Sequence, residues 1–180
     1  MAKCPVCTSR KGKRKCKMME SFVCSLCCGQ IRKEEACLGC QYFKSEREGR
    51  KYSSVPRFIP EDMERDQTLE SKSYVVEAAL GAWDLSCDRS LRDESALKVL
   101  EMLMDRFHFK DGEIEGSTDE LRRGFEIVES RMSGPFSEMP ETTTTKIIGC
   151  IYHVARRRSR GHREYLDFIH NFVAADVERI

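Results

Sequence analysis

From about residue 70 onward, apolar positions recur with the 3.6-residue period of helices that bury one face. Val75, Ala78, Ala79, Ala82 and Trp83 form one such face, and Ala96, Leu97, Leu100, Leu103, Met104 and Phe107 form a second. A third helix is predicted from Ser117, with Glu120 at capping-box spacing, through Leu121, Phe125, Val128 and Met132 to the stop at Gly134-Pro135. After Pro140, residues Ile147, Ile148, Ile151, Val154 and Ala155 predict a fourth helix ending near Gly161. Tyr165, Phe168, Ile169, Phe172 and Val173 predict a fifth. Short polar connections and no convincing alternating strand make residues 65–180 an expected all-α helical bundle.

The first 44 residues follow a different pattern. They lack helical periodicity and are paced by Cys, Gly and Lys, as expected where metal bonds replace an apolar core. A small metal-stabilised zinc-finger domain is therefore expected over residues 1–44, followed by a linker over 45–64. Three serines, two prolines and many charges favour an extended connector there over a helix.

With 180 residues and 40% apolar content, the chain can supply one ordinary core plus a small appendage. No run approaches the roughly 18–20 apolar residues of a membrane span, and Met1-Ala2-Lys3-Cys4 does not open a signal peptide. The expectation is a cytoplasmic protein without a membrane partner. Ten cysteines could form disulfides, but eight fall between Cys4 and Cys40 and include three C-x-x-C pairs, a spacing better suited to metal ligation.

Eight thiolates complete two tetrahedra, so two Zn²⁺ ions are expected. One ion takes two of the pairs, and the other takes the third pair with Cys16 and one more. The favoured division sets Cys4, Cys7, Cys24 and Cys27 on one ion, with Cys16, Cys28, Cys37 and Cys40 on the second. Adjacent side chains of extended backbone point to opposite sides, which would let Cys27 and Cys28 serve different ions. An iron–sulfur cluster is the rival, although the spacing matches neither common ferredoxin run. Because eight cysteines close both sites, a structural metal is favoured over a catalytic one.

This order of a first pair, a lone Cys, a second pair after Phe22-Val23 and a final pair resembles the B-box class of cross-brace zinc fingers over residues 4–40. The resemblance implies interleaved ligation. The chain departs from it in using Cys at the usual His positions and in placing Met19 near an expected ligand, which leaves Cys28 as the substitute. The whole chain is also similar to bacterial proteins with a Cys-rich head and a helical tail, a likeness that implies no activity.

Charge separates the two halves. Residues 1–57 carry 14 Lys and Arg against five Asp and Glu, a net +9, and residues 58–180 carry 17 against 25, a net −8. Two Zn²⁺ on eight thiolates would lower the first figure to about +5. Arg10, Lys11, Lys13, Arg14, Lys15 and Lys17 flank Cys16 and form the first candidate anion-binding surface, although cations there also balance thiolate charge. Arg156, Arg157, Arg158 and Arg160, with Arg163 beyond them, form a second, which equally complements a helix C-terminus.

Cys87 and Cys150 read as buried, inert thiols. His108, His153, His162 and His170 occur singly, and no G-x-S-x-G, phosphate loop or dinucleotide fingerprint is present. These features point to a non-enzymatic zinc protein that docks a protein partner or a second copy of itself. Nucleic-acid binding through the basic runs is the alternative, and a zinc-linked redox sensor is the third reading.

Overall fold

The computed structural model describes residues 3–37, 40–43, 50–111 and 117–173, without the side chains of residues 34 and 35. Residues 45–49 of the expected connector lie outside the described residues. The chain is mostly helical, with a small Cys-rich N-terminal unit, and divides into two units, Met1–Lys51 and Tyr52–Ile180.

In the first unit, β1 (Arg14–Cys16) pairs antiparallel with β2 (Ser21–Val23), setting Arg14 opposite Val23 and Cys16 opposite Ser21. Gly12 enters this hairpin where a Cβ would lie 2.2 Å from the Phe22 carbonyl oxygen, so no larger residue fits without moving the strand. Helix α1 (Ser25–Gln30) follows directly, and α2 (Glu34–Cys37) comes before the last cysteine. The buried apolar set is Cys4, Val23, Cys24 and Cys27, so thiols take the place of a core.

The second unit begins earlier than the helical periodicity does. Tyr52–Ser54 form a 3₁₀ turn, Val55 is buried in the helical core, and α3 (Pro60–Arg65) starts on the proline itself. Helical turns thus replace the expected extended connector at residues 52–54 and 60–64, while residues 55–59 between them carry no helix. Pro60 occupies the first helical turn, where a missing N–H costs nothing, and Gly149 admits the Pro56 carbonyl within 2.6 Å of where a Cβ would stand.

Helix α4 (Gln67–Ser86) starts at Asp66, whose carboxylate accepts from the N–H groups of Thr68 and Leu69. Its buried apolar side chains are Leu69, Val76, Ala79, Leu80 and Trp83, so Val75, Ala78 and Ala82 flank the face instead of centring it. α5 (Asp93–Phe107) packs against α6 (Asp119–Ser133) and α7 (Glu141–Arg158), and α4 also packs against both. Trp83 lies in this core, so close to α6 that a Cβ on Gly124 would stand 2.5 Å from its ring.

Three boundaries differ from the sequence expectation. Thr118, not Ser117, caps α6, its hydroxyl accepting from the Leu121 N–H at 3.3 Å. α7 ends at Arg158, and Gly161, at φ 101°, turns the chain in the loop beyond. The fifth helix is a short α8 (Glu164–Phe168) running into a π turn (Ile169–Val173), which leaves Phe172 63% exposed.

Buried carboxylates hold that last segment. Asp84 accepts from both Nη atoms of Arg163, from the Leu91 N–H and sits 2.8 Å from His170 Nε2. Asp93 accepts from the N–H groups of Tyr165 and Leu166, and Glu77 takes the Tyr165 hydroxyl at 3.0 Å. Arg163 is thereby committed to the interior and does not belong to a surface basic run.

Candidate metal centre

Cys4 and Cys7 sit on a tight turn closed by Thr8 N–H to Cys4 O at 2.8 Å, with Thr8 in the left-handed region at φ 53°. The Lys3–Lys11 bridge and the 2.7 Å bond from Cys4 N–H to Arg10 O bring this turn back against the hairpin. At the end of β2 the chain leaves in extended conformation at Cys24, whose Sγ lies 3.5 Å from the Cys27 N–H and caps α1. Cys27 then falls one turn into the helix. Two backbone turns, distant in sequence, thus present two sulfurs each to one point.

The four sulfurs of Cys4, Cys7, Cys24 and Cys27 lie within 4.8 Å of one another, and all but Cys7 are buried. A tetrahedral Zn²⁺ with bonds of about 2.3 Å requires sulfur–sulfur edges of about 3.8 Å. Cys7 Sγ and Cys24 Sγ stand 3.9 Å apart, and the cysteines are free thiols. That spacing fits a shared ion and is far from the roughly 2.0 Å of a disulfide. The donor set suits a soft-tolerant divalent ion, with zinc the best match.

The protons reflect this crowding of thiols. Hydrogen bonds from the Ser9 side chain and from the Arg10 and Ser9 backbone hold Cys7 down at about 6. Burial opposes the Cys4 thiolate, but backbone donors at Cys24, Cys7 and Val6 outweigh it and its pKa falls. Cys27 goes the other way, pushed up to about 12 by the Cys24 side chain first, then by burial and by Cys7 and Cys4. Packed thiolates repel, and the last proton stays unless a cation takes its place.

The second predicted set is arranged less tightly. Among the described residues, Cys16, Cys28, Cys37 and Cys40 do not form a cluster at ligating distance comparable to the first. All four nevertheless line a single cleft of about 20 Å³, together with Ile31 and Tyr42. Cys16 ends β1, Cys28 lies on α1, and Cys37 and Cys40 share a turn closed by Cys40 N–H to Cys37 O at 2.9 Å. Cys27 and Cys28 are helical, not extended. They diverge because successive helical residues are about 100° apart around the axis.

Of the basic loop, Arg10, Lys11, Lys13, Lys15 and Lys17 are exposed, whereas Arg14 turns inward, its Nη1 3.7 Å from Cys28 Sγ and its guanidinium over the Tyr42 ring. Arg14 is thus a counter-charge to sulfur. On the helical unit, Arg156 lies over the Tyr152 ring and Arg158 over that of Phe168, and Arg157 and Arg160 are exposed. Cys150 donates to the Phe58 carbonyl at 3.2 Å, and burial raises its pKa. Among the described residues no helix is long and apolar enough to cross a membrane.

Comparison with protein-family models, curated proteins and solved structures finds no match for this chain.

Proposed function

We propose that the chain is a zinc-dependent protein-interaction module whose N-terminal unit folds around two interleaved, B-box-like Zn²⁺ sites. The observation that carries this reading is the convergence of the Cys4, Cys7, Cys24 and Cys27 sulfurs on one point. The second ion would take Cys16, Cys28, Cys37 and Cys40. Their common cleft supports that assignment, because it brings all four thiols to one hollow. Four thiolates per ion leave no position for substrate, so the metals would act as architecture.

Both turns of the first site carry an apolar residue in solvent. Val6 between Cys4 and Cys7 is 40% exposed, Leu26 between Cys24 and Cys27 is 57% exposed, and Phe22 is 52% exposed. Side chains of this kind on a metal-fixed frame suit protein docking at little entropic cost. Native mass spectrometry tests the two-ion reading: two zinc ions in the parent, with loss of zinc in Cys4→Ser and independently in Cys37→Ser. One ion in the parent, unaffected by Cys37→Ser, removes the second site.

Nucleic-acid binding is a second reading, favoured by Lys11, Lys13, Lys15 and Lys17, which are exposed and without a carboxylate partner among the described residues. Reversing Lys11, Lys13 and Lys15 to Glu should abolish retention on a nucleic-acid column at moderate salt. Unchanged retention rules this reading out.

A further inference from the structure

The helical unit contains a concave site of about 370 Å³ between the start of the unit and α7. Its polar lining is Tyr52, Ser53, Arg57, His153, Arg156 and Arg157, with no carboxylate in the wall. Arg57 is nearly 100 residues from the other arginines, so the site exists only in the fold. The segment bearing Arg57 is fixed from both sides: Gly149 lets the Pro56 carbonyl rest on α7, and Cys150 donates to the Phe58 carbonyl. Val55, buried in the core, anchors the other end.

Arg57, Arg156 and Arg157 line this space, none with a carboxylate partner among the described residues. Two carboxylates stand behind the wall, and both are engaged. Glu101 accepts from the Tyr152 hydroxyl at 2.9 Å and pairs with Lys98, and Asp105 accepts from the Tyr52 hydroxyl at 3.0 Å. The partial charge at the C-terminal end of α7, about half an electron, is small against three full positive charges. His153 responds to its surroundings: burial lowers its pKa first, and Arg57, Arg157 and Arg156 lower it further.

From this convergence of Arg57, Arg156 and Arg157 around a preformed hollow we infer a binding site for a small phosphorylated ligand. Guanidinium groups pair with phosphate oxygens through two parallel N–H bonds, and the volume lies in the range of small-molecule sites. A small ligand is favoured over a polymer by the charge around it. Residues 58–180 carry a net −8, which repels a long polyanion while three clustered cations hold a short one.

The test uses the full zinc-loaded chain and inorganic pyrophosphate, titrated calorimetrically at moderate salt. Saturable one-to-one binding is expected, weakened about tenfold or more by Arg57→Ala and by Arg157→Ala, as for loss of a charge-assisted hydrogen bond. The control Arg123→Ala, on the exposed face of α6, should bind as the parent does. Both arginines are exposed, and circular dichroism checks that the variants fold; were Arg57→Ala to misfold, Arg157→Ala alone would decide. Absence of saturable binding by the parent overturns the inference, as does equal weakening by Arg123→Ala. A single-stranded oligonucleotide that binds through these arginines more tightly than pyrophosphate would show a polymer surface instead, and overturn the small-ligand assignment.

Discussion

Single residues in this protein are constrained by what lies within a few ångströms of them. Trp83 fills the centre of the helical core, yet its Nε1 is buried without a hydrogen-bond partner among the described residues. Trp83→Phe should therefore cost far less than Trp83→Ala, for which about 3–5 kcal/mol is expected in urea unfolding. Gly124→Ala drives a methyl into the same ring and should cost about 1–3 kcal/mol by that assay. Glu77 shows the cost of a buried acid. Burial pushes its pKa up to about 7 from 4.5, so the folded state holds a proton that the unfolded chain releases, and stability falls as pH rises through that window. Glu77→Gln should gain on the order of 1–3 kcal/mol at pH 8, with the gain vanishing near pH 4.5. A gain that does not depend on pH would contradict this account. None of these three environments was readable in sequence, where a Glu in a helix looks solvated and a Gly looks incidental.

At the scale of elements, the helices were legible because their apolar positions keep a 3.6 period, and Ala96, Leu100, Leu103, Ile147 and Ile151 are buried where that period placed them. What holds α8 was not legible. Its ties are Asp84, Asp93 and Glu77, charged residues whose partners lie more than 70 positions away. Asp84 illustrates the balance: burial opposes its charge, but Arg163, His170 and the Leu91 N–H outweigh it and its pKa falls below 3.8. Its contribution is thus present above the unfolded value of about 3.9 and is lost as pH falls through the lower folded value. Asp84→Ala strands Arg163 and His170 and should cost about 2–4 kcal/mol in chemical unfolding, the partial exposure of Arg163 lowering the figure. A smaller loss than that of Arg89→Ala, whose ion pair with Asp167 is exposed, would show that the network is not a tie.

Across the whole molecule, two kinds of interior coexist. Among the described residues, the helical unit buries a broad apolar set, whereas the Cys-rich unit buries little besides Val23 and three thiols. Chelation should accordingly erase ordered signals of residues 3–43 while helical circular dichroism and the cooperative thermal transition persist. Collapse of both would contradict the self-sufficiency of the helical core. The cluster of Cys4, Cys7, Cys24 and Cys27 was legible from C-x-x-C spacing, because two short turns fix sulfur geometry locally. The groove of Arg57, His153 and Arg157 was not, since only tertiary folding brings residue 57 to α7.

One sulfur links these scales. Cys24 Sγ both belongs to the four-sulfur cluster and caps α1, a six-residue helix too short to persist by itself. Were zinc the ion, metal occupancy and helix formation would be one equilibrium, and the folded fraction of the head would track free zinc by mass action. Without the ion the head would then open to proteolysis while the helical unit stays folded, so that exposure of the docking surface would be coupled to metal supply.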